Sequence, residues 1–172
     1  MCRMCDQPDL TVSEYLDGLR RQVRRERFTM IGVAGSRTEA EFSYTVGLTG
    51  HGSPELVITG LRPRDAGRLL QHWGDYLLDR SVVLAGETLE SGPWLLEAVA
   101  VDGPQDTLGA AAALYGDELR ALQLVWATPS GHWPWDPGYR RVRPAGQPLL
   151  GTRSPQYCPD HRPGRLDVPP HL

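Results

Sequence analysis

The chain predicts an α+β single domain: a mixed, mostly antiparallel sheet covered by about three helices, with a proline-rich irregular C-terminal tail. Three observations carry this expectation. Stretches with apolar residues at helical spacing alternate with short period-two stretches, in the order helix, three strands, helix, two strands, helix, strand. The 172 residues are enough to bury one sizeable core without disulfides. Ten of the fifteen prolines fall from Pro129 onward, where regular elements give way to loops over the surface. The organisation expected is a cysteine-bearing arm over 1–10, a core over 11–128 and a Trp- and Pro-rich tail over 129–172 packed on that core.

The first helix opens at Thr11-Val12-Ser13-Glu14, which has the spacing of a capping box. Val12, Tyr15, Leu16, Leu19 and Val23 then share one face. Arg20, Arg21, Arg24, Arg25 and Arg27 occupy the remainder. They read first as a solvated face whose cations suit the helix C-terminus, and second as a grip for phosphates. Phe28 to Ala34 predicts a strand, with Gly35 to Glu39 turning into its hairpin partner. In FSYTVGLTGHGSPELVITGL, Phe42 to Leu61, apolar Phe42, Tyr44, Val46 and Leu48 alternate with small or polar residues, and the β-branched run Glu55 to Thr59 follows. Gly50, Gly52 and Pro54 force a turn between them that presents Thr49, His51 and Ser53.

Arg62-Pro63-Arg64-Asp65 opens the second helix, with Ala66, Leu69, Leu70, Trp73 and Leu77 as its buried face and His72 beside it. Val82 to Leu84 and Trp94 to Val101 predict further strands, the second interrupted by Glu97, a carboxylate expected first on a solvent-facing or paired position and second as an acid facing a pocket. Asp106 is expected to cap a short alanine-rich helix that Gly116 ends, and Leu122 to Ala127 is the last strand. Alternation puts Phe42, Tyr44, Val46, Leu56, Ile58, Leu96, Leu122, Leu124 and Trp126 on the core face, with Leu69, Leu70 and Trp73 packing from the second helix.

The formal charge of −3 gives no global basic field, which argues against nucleic acid as a partner. Every basic side chain other than histidine is Arg, and Asn is also absent; the simplest cause is a GC-rich bacterial genome. No apolar run reaches the roughly 20 residues of a membrane span, and no signal-peptide layout opens the chain, so a cytoplasmic protein with no membrane partner is expected. In that reducing compartment three cysteines read as ligands or free thiols.

Three constellations could carry chemistry. Cys2-Arg-Met-Cys5 and Cys158-Pro-Asp-His161 together supply four soft ligands, the set of a closed structural zinc site, which requires that the termini meet. Free thiols are the first alternative and a Cys-x-x-Cys redox centre the second. The central loop offers His51 and Glu55 as acid-base groups, with Tyr44 and Thr45 on the flanking strand; Gly52 and Pro54 exclude a helical two-ligand face, and an exposed hairpin-tip His is the bland alternative. The segment from Trp126 to Tyr139 places His132, Trp133, Trp135 and Asp136 in a turn-rich stretch, either walling a ligand pocket or clamping the tail to the sheet. No nucleotide cofactor is indicated.

At the stretches FSYTVGLTGHGSPELVITGL, LQLVWATPSGHWPWDPGY and QPLLG (Gln147 to Gly151), and at Cys2 to Asp6, the chain resembles a bacterial family catalogued as domain of unknown function 4262. The resemblance implies a domain boundary and brings no activity, substrate or catalytic residue. The leading functional expectation is a zinc-stapled binding or accessory domain for a small molecule or a protein partner. The second is a small hydrolytic or modifying enzyme using His51 and Glu55, and the third a nucleic-acid-binding regulator acting through the Arg-rich first helix.

Overall fold

In the computed structural model, which describes residues 11–79, 81–141 and 146–153, Thr11 starts the first helix, α1 (Val12–Glu26), through a complete capping box. Glu14 N–H donates to the Thr11 hydroxyl at 3.2 Å, and Thr11 N–H donates back to the Glu14 carboxylate at 3.0 Å. Of the arginines on its outer face, Arg20 pairs with Asp17 and Arg25 with Glu26, and Arg27, just past its end, donates to the Leu78 carbonyl.

Two hairpin strands, β1 (Thr29–Val33) and β2 (Phe42–Val46), lead through a 3-10 turn, Leu48–His51, into β3 (Glu55–Thr59). Then follow α2 (Pro63–Leu78), β4 (Thr88–Ser91), β5 (Trp94–Ala100), the short α3 (Pro104–Thr107), α4 (Gly109–Tyr115), a 3-10 turn at Gly116–Glu118 and β6 (Ala121–Trp126). The strands form one six-stranded sheet in the order β1-β2-β3-β6-β5-β4, with β3 and β6 parallel and every other pair antiparallel. This is the mixed sheet of an α+β domain.

The apolar residues divide between two faces instead of sharing one. Leu56, Ile58, Leu96, Leu122, Leu124 and Trp126 pack with Leu69, Leu70 and Trp73 of α2. Tyr44 and Val46 lie in the opposite cluster with Val57, beneath Leu19 of α1 and Ala111 of α4; Phe42 is partly buried against it. Register explains the difference. Tyr44 stands opposite Val57, and Ser43 opposite Ile58, so Tyr44 shares a face with Val57 and not with Ile58. Alternation within a strand reveals two faces, whereas only pairing says which faces coincide. A helix on each face lets both be apolar, and each fully buried Leu or Ile there contributes about 1.5–3 kcal/mol.

Two expected details differ. Val82 to Leu84 forms no strand: Val82 and Leu84 are 69% and 61% exposed, and only Val83 enters the core. The edge strand comes later, at β4, where Leu89 is buried between exposed Thr88 and Glu90. Three apolar residues ending at a glycine turn are too few to hold a ladder, while a charged alternating stretch suits an edge. Asp106 also fails to cap the alanine-rich helix. It lies inside α3; the helix breaks at fully buried Leu108, and in the first turn of α4 the Ala110 N–H donates instead to the Tyr44 phenol oxygen.

Candidate recognition site

Glu55 opens β3 as a completely buried carboxylate. Four donors from β2 and the turn after it satisfy it: the Thr45 hydroxyl at 2.7 Å, Gly47 N–H at 2.9 Å, and Thr49 N–H and hydroxyl, both at 3.0 Å. The Thr45 hydroxyl in turn accepts from Leu56 N–H at 2.8 Å. Gly47 makes this possible, since it turns at φ 134° with Phe28 backbone atoms so close that a Cβ would sit 2.6 Å away. Glu55 therefore ties β2, the 3-10 turn and β3 into one knot.

His51 stands at the exposed tip of that turn, and among the described residues no hydrogen bond joins it to Glu55. Tyr44 is buried, its phenol oxygen accepting from Ala110 N–H at 3.3 Å, and Thr45 is buried within the knot. Tyr115, placed over Gly50 by α4, is the neighbour that sequence reading passed over. Burial first, and the Glu55 charge second, raise its phenol above the usual tyrosine range.

The aromatic turn follows the opposite end of β6. His132 hydrogen-bonds the Ser130 hydroxyl through Nδ1, at 3.1 Å, and its backbone is closed onto Thr128. Asp136 accepts from Trp133 N–H at 2.8 Å, which folds the turn so that Trp133 and Trp135 stack at 5.3 Å with planes 8° apart. All four of these residues are half-buried. His51 precedes Glu55, which pairs with Ala121 at the start of β6. A strand of six residues spans roughly 20 Å, so the predicted ligand residues separate into two ends of the sheet.

Between those ends, the segment 146–153 crosses the face that carries Glu97, Gln123 and Thr59. The Gln147 side-chain amide pairs with Trp126 N–H and C=O at 2.8 and 2.9 Å, as a neighbouring strand would. Gln123, fully buried, donates to the Pro148 carbonyl at 2.8 Å and to the Thr59 hydroxyl at 2.9 Å, and accepts from Leu150 N–H at 2.8 Å. Arg153 ends the segment with a two-point bond to Glu97, 2.7 Å from Nε and 2.9 Å from the second nitrogen, and its guanidinium lies 4.5 Å over the Trp135 ring. Glu97 is thus a paired position, as expected, with its side chain 2% exposed. Gln123 and Arg153 were not singled out from sequence, and Gln147 entered only through the QPLLG resemblance. A glutamine inside the apolar run ALQLVW is the one local signal, and no spacing links residue 97 to residue 153.

Among the described residues, no group of three or more His, Cys, Asp or Glu side chains could hold a metal ion. Cys2, Cys5, Cys158 and His161 lie outside the described residues. No helix among the described residues is long and apolar enough to cross a membrane.

Fold and site together define a small α+β domain with one knotted turn, one aromatic turn and a segment strapped across the sheet between them. The chain belongs to the family described as domain of unknown function (DUF4262), whose pattern matches residues 22–140. The matched stretch contains both turns, and the strap lies beyond it. No curated protein and no solved structure matches the chain.

Proposed function

We propose that this protein is a binding or accessory domain without turnover of its own, which recognises a small molecule or a protein partner through the aromatic turn at His132, Trp133, Trp135 and Asp136, with the His51 tip as a second contact. The observation that carries this reading is the saturation of Glu55. A general base needs a free lone pair within reach of its substrate, and this carboxylate is buried with four donors on it. Half-buried stacked indoles, by contrast, offer apolar area at little conformational cost. Zinc held by Cys2, Cys5, Cys158 and His161 belongs to the same reading as a staple for the termini.

The test is a thermal-shift screen of small molecules and peptides against the wild type, Trp133→Ala and His51→Ala, run beside ester, amide and phosphoester turnover assays. Stabilising compounds should lose their effect in Trp133→Ala, and no turnover should depend on His51. A hydrolytic activity abolished in His51→Ala, with the fold intact, would replace the binding reading by an acid-base enzyme. Metal analysis of chelator-free protein should find one zinc per chain, lost in Cys158→Ser.

A further inference from the structure

The geometry points to an arginine-recognition groove on the sheet face, built by Glu97, Gln123, Thr59 and Trp135 and filled in cis by the chain's own residues 147–153, whose ligand in trans is an extended, arginine-bearing peptide of a partner protein. The inference rests on the binding reading above and narrows its ligand class. A buried carboxylate that takes both ends of a guanidinium fork, with an indole face against the same group, is the chemistry that selects arginine over lysine. Gln123 adds the second element, since one side-chain amide reads a carbonyl and an N–H two residues apart, at Pro148 and Leu150. That is recognition of an extended backbone.

The groove and its occupant also lie on different sides of the family-match boundary. Glu97, Gln123 and Trp135 fall within the family match of residues 22–140, and the segment that fills the groove falls outside it. The segment is threaded tightly at one point: a Cβ on Gly151 would meet the Ala100 carbonyl oxygen at 1.7 Å, so any side chain there forces the strap away from β5. Tethering gives the occupant an effective concentration of the order of millimolar, so a trans peptide competes poorly until the strap is weakened.

The experiment measures binding of a fluorescent peptide, GQPLLGTR, which copies residues 146–153, to the full-length wild type and to Arg153→Ala. The variant should bind at least tenfold more tightly than the wild type. Binding should vanish for GQPLLGTA, and should fall at least tenfold in the double variant Glu97→Gln/Arg153→Ala. Equal binding of both peptides, or no binding to a folded variant, overturns the groove. Competition by arginine amide as effective as that by the octapeptide overturns the peptide class and reduces the site to a guanidinium pocket. Should Arg153→Ala fail to fold, Arg153→Lys and Gly151→Ala loosen the strap by independent routes and carry the same comparison. Failure here leaves the aromatic-turn reading standing, because that is read by the Trp133→Ala screen.

Discussion

Glu55 and Glu97 are both buried carboxylates at the sheet, yet they are satisfied in opposite ways. Glu55 is held by neutral hydroxyls and amides from residues within ten positions of itself, on a turn that exists to surround it. Glu97 is held by a charged group 56 residues away, on a strap whose guanidinium is partly exposed and whose Leu150 packs against the core cluster beneath α1 and α4. The first partner set cannot leave without dismantling a strand pairing. On the groove reading the second leaves as a unit, exposing a carboxylate to water that hydrates it. On that reading the first carboxylate is part of the fold, and the second is a site with an occupant.

The largest effect should follow from breaking the first arrangement. Glu55→Ala strands several buried donors at once and should cost about 4 kcal/mol in denaturant unfolding, enough to threaten folding altogether. Arg153→Ala should cost about 2 kcal/mol, less than the usual penalty for breaking a buried pair, because the strap can detach and let water reach Glu97. Gln147→Ala should cost about 1 kcal/mol through the loss of its two bonds to Trp126. Combined, Gln147→Ala and Arg153→Ala should cost clearly less than their sum, since either one releases the same segment, whereas Glu55→Gln and Arg153→Ala should add. Additivity of the strap pair would mean that 146–153 is ordinary core and not a detachable occupant.

The smallest effect sharpens the Glu55 side. The folded chain holds the Tyr115 proton more tightly than the unfolded chain, because burial and then the Glu55 charge oppose phenolate. The resulting stability is fully present below the ordinary tyrosine value of about 10 and is lost as pH rises through the higher folded value. Tyr115→Phe should flatten that alkaline loss. Spectroscopic titration should also find Tyr115 nearer its ordinary value in Glu55→Gln than in the wild type.

Much of the fold was legible because local rules wrote it: the capping box at Thr11, the alternation of Phe42 to Val46, and the proline and apolar stripe of Pro63 to Leu77 all appear where the sequence places them. The division of Tyr44 and Ile58 between two faces was not, since register is a property of two strands and neither strand contains it. Leu108 likewise answers to the core rather than to the cap chemistry around Asp106. At the site, the turn around Gly50 and Gly52 and the half-buried aromatic turn were readable from glycine, proline and tryptophan spacing. The pairing of Glu97 was foreseen as a possibility, but its partner was not, because an ion pair across 56 residues leaves no periodic trace.

The inequality of the two carboxylates is tested most directly by native-state hydrogen exchange at three amides. Gly47 and Thr49 N–H donate to Glu55, and Leu150 N–H donates to Gln123 beneath the strap. All three are bonded at similar lengths, 2.9, 3.0 and 2.8 Å, so bond geometry alone predicts similar protection. A detachable strap predicts that Leu150 exchanges through a local opening at least tenfold faster than Gly47 and Thr49, which should open only with the sheet, and that Arg153→Ala accelerates Leu150 without affecting the other two. Equal protection at all three sites, responding together to Arg153→Ala, would contradict the account and make the strap an inseparable part of the domain.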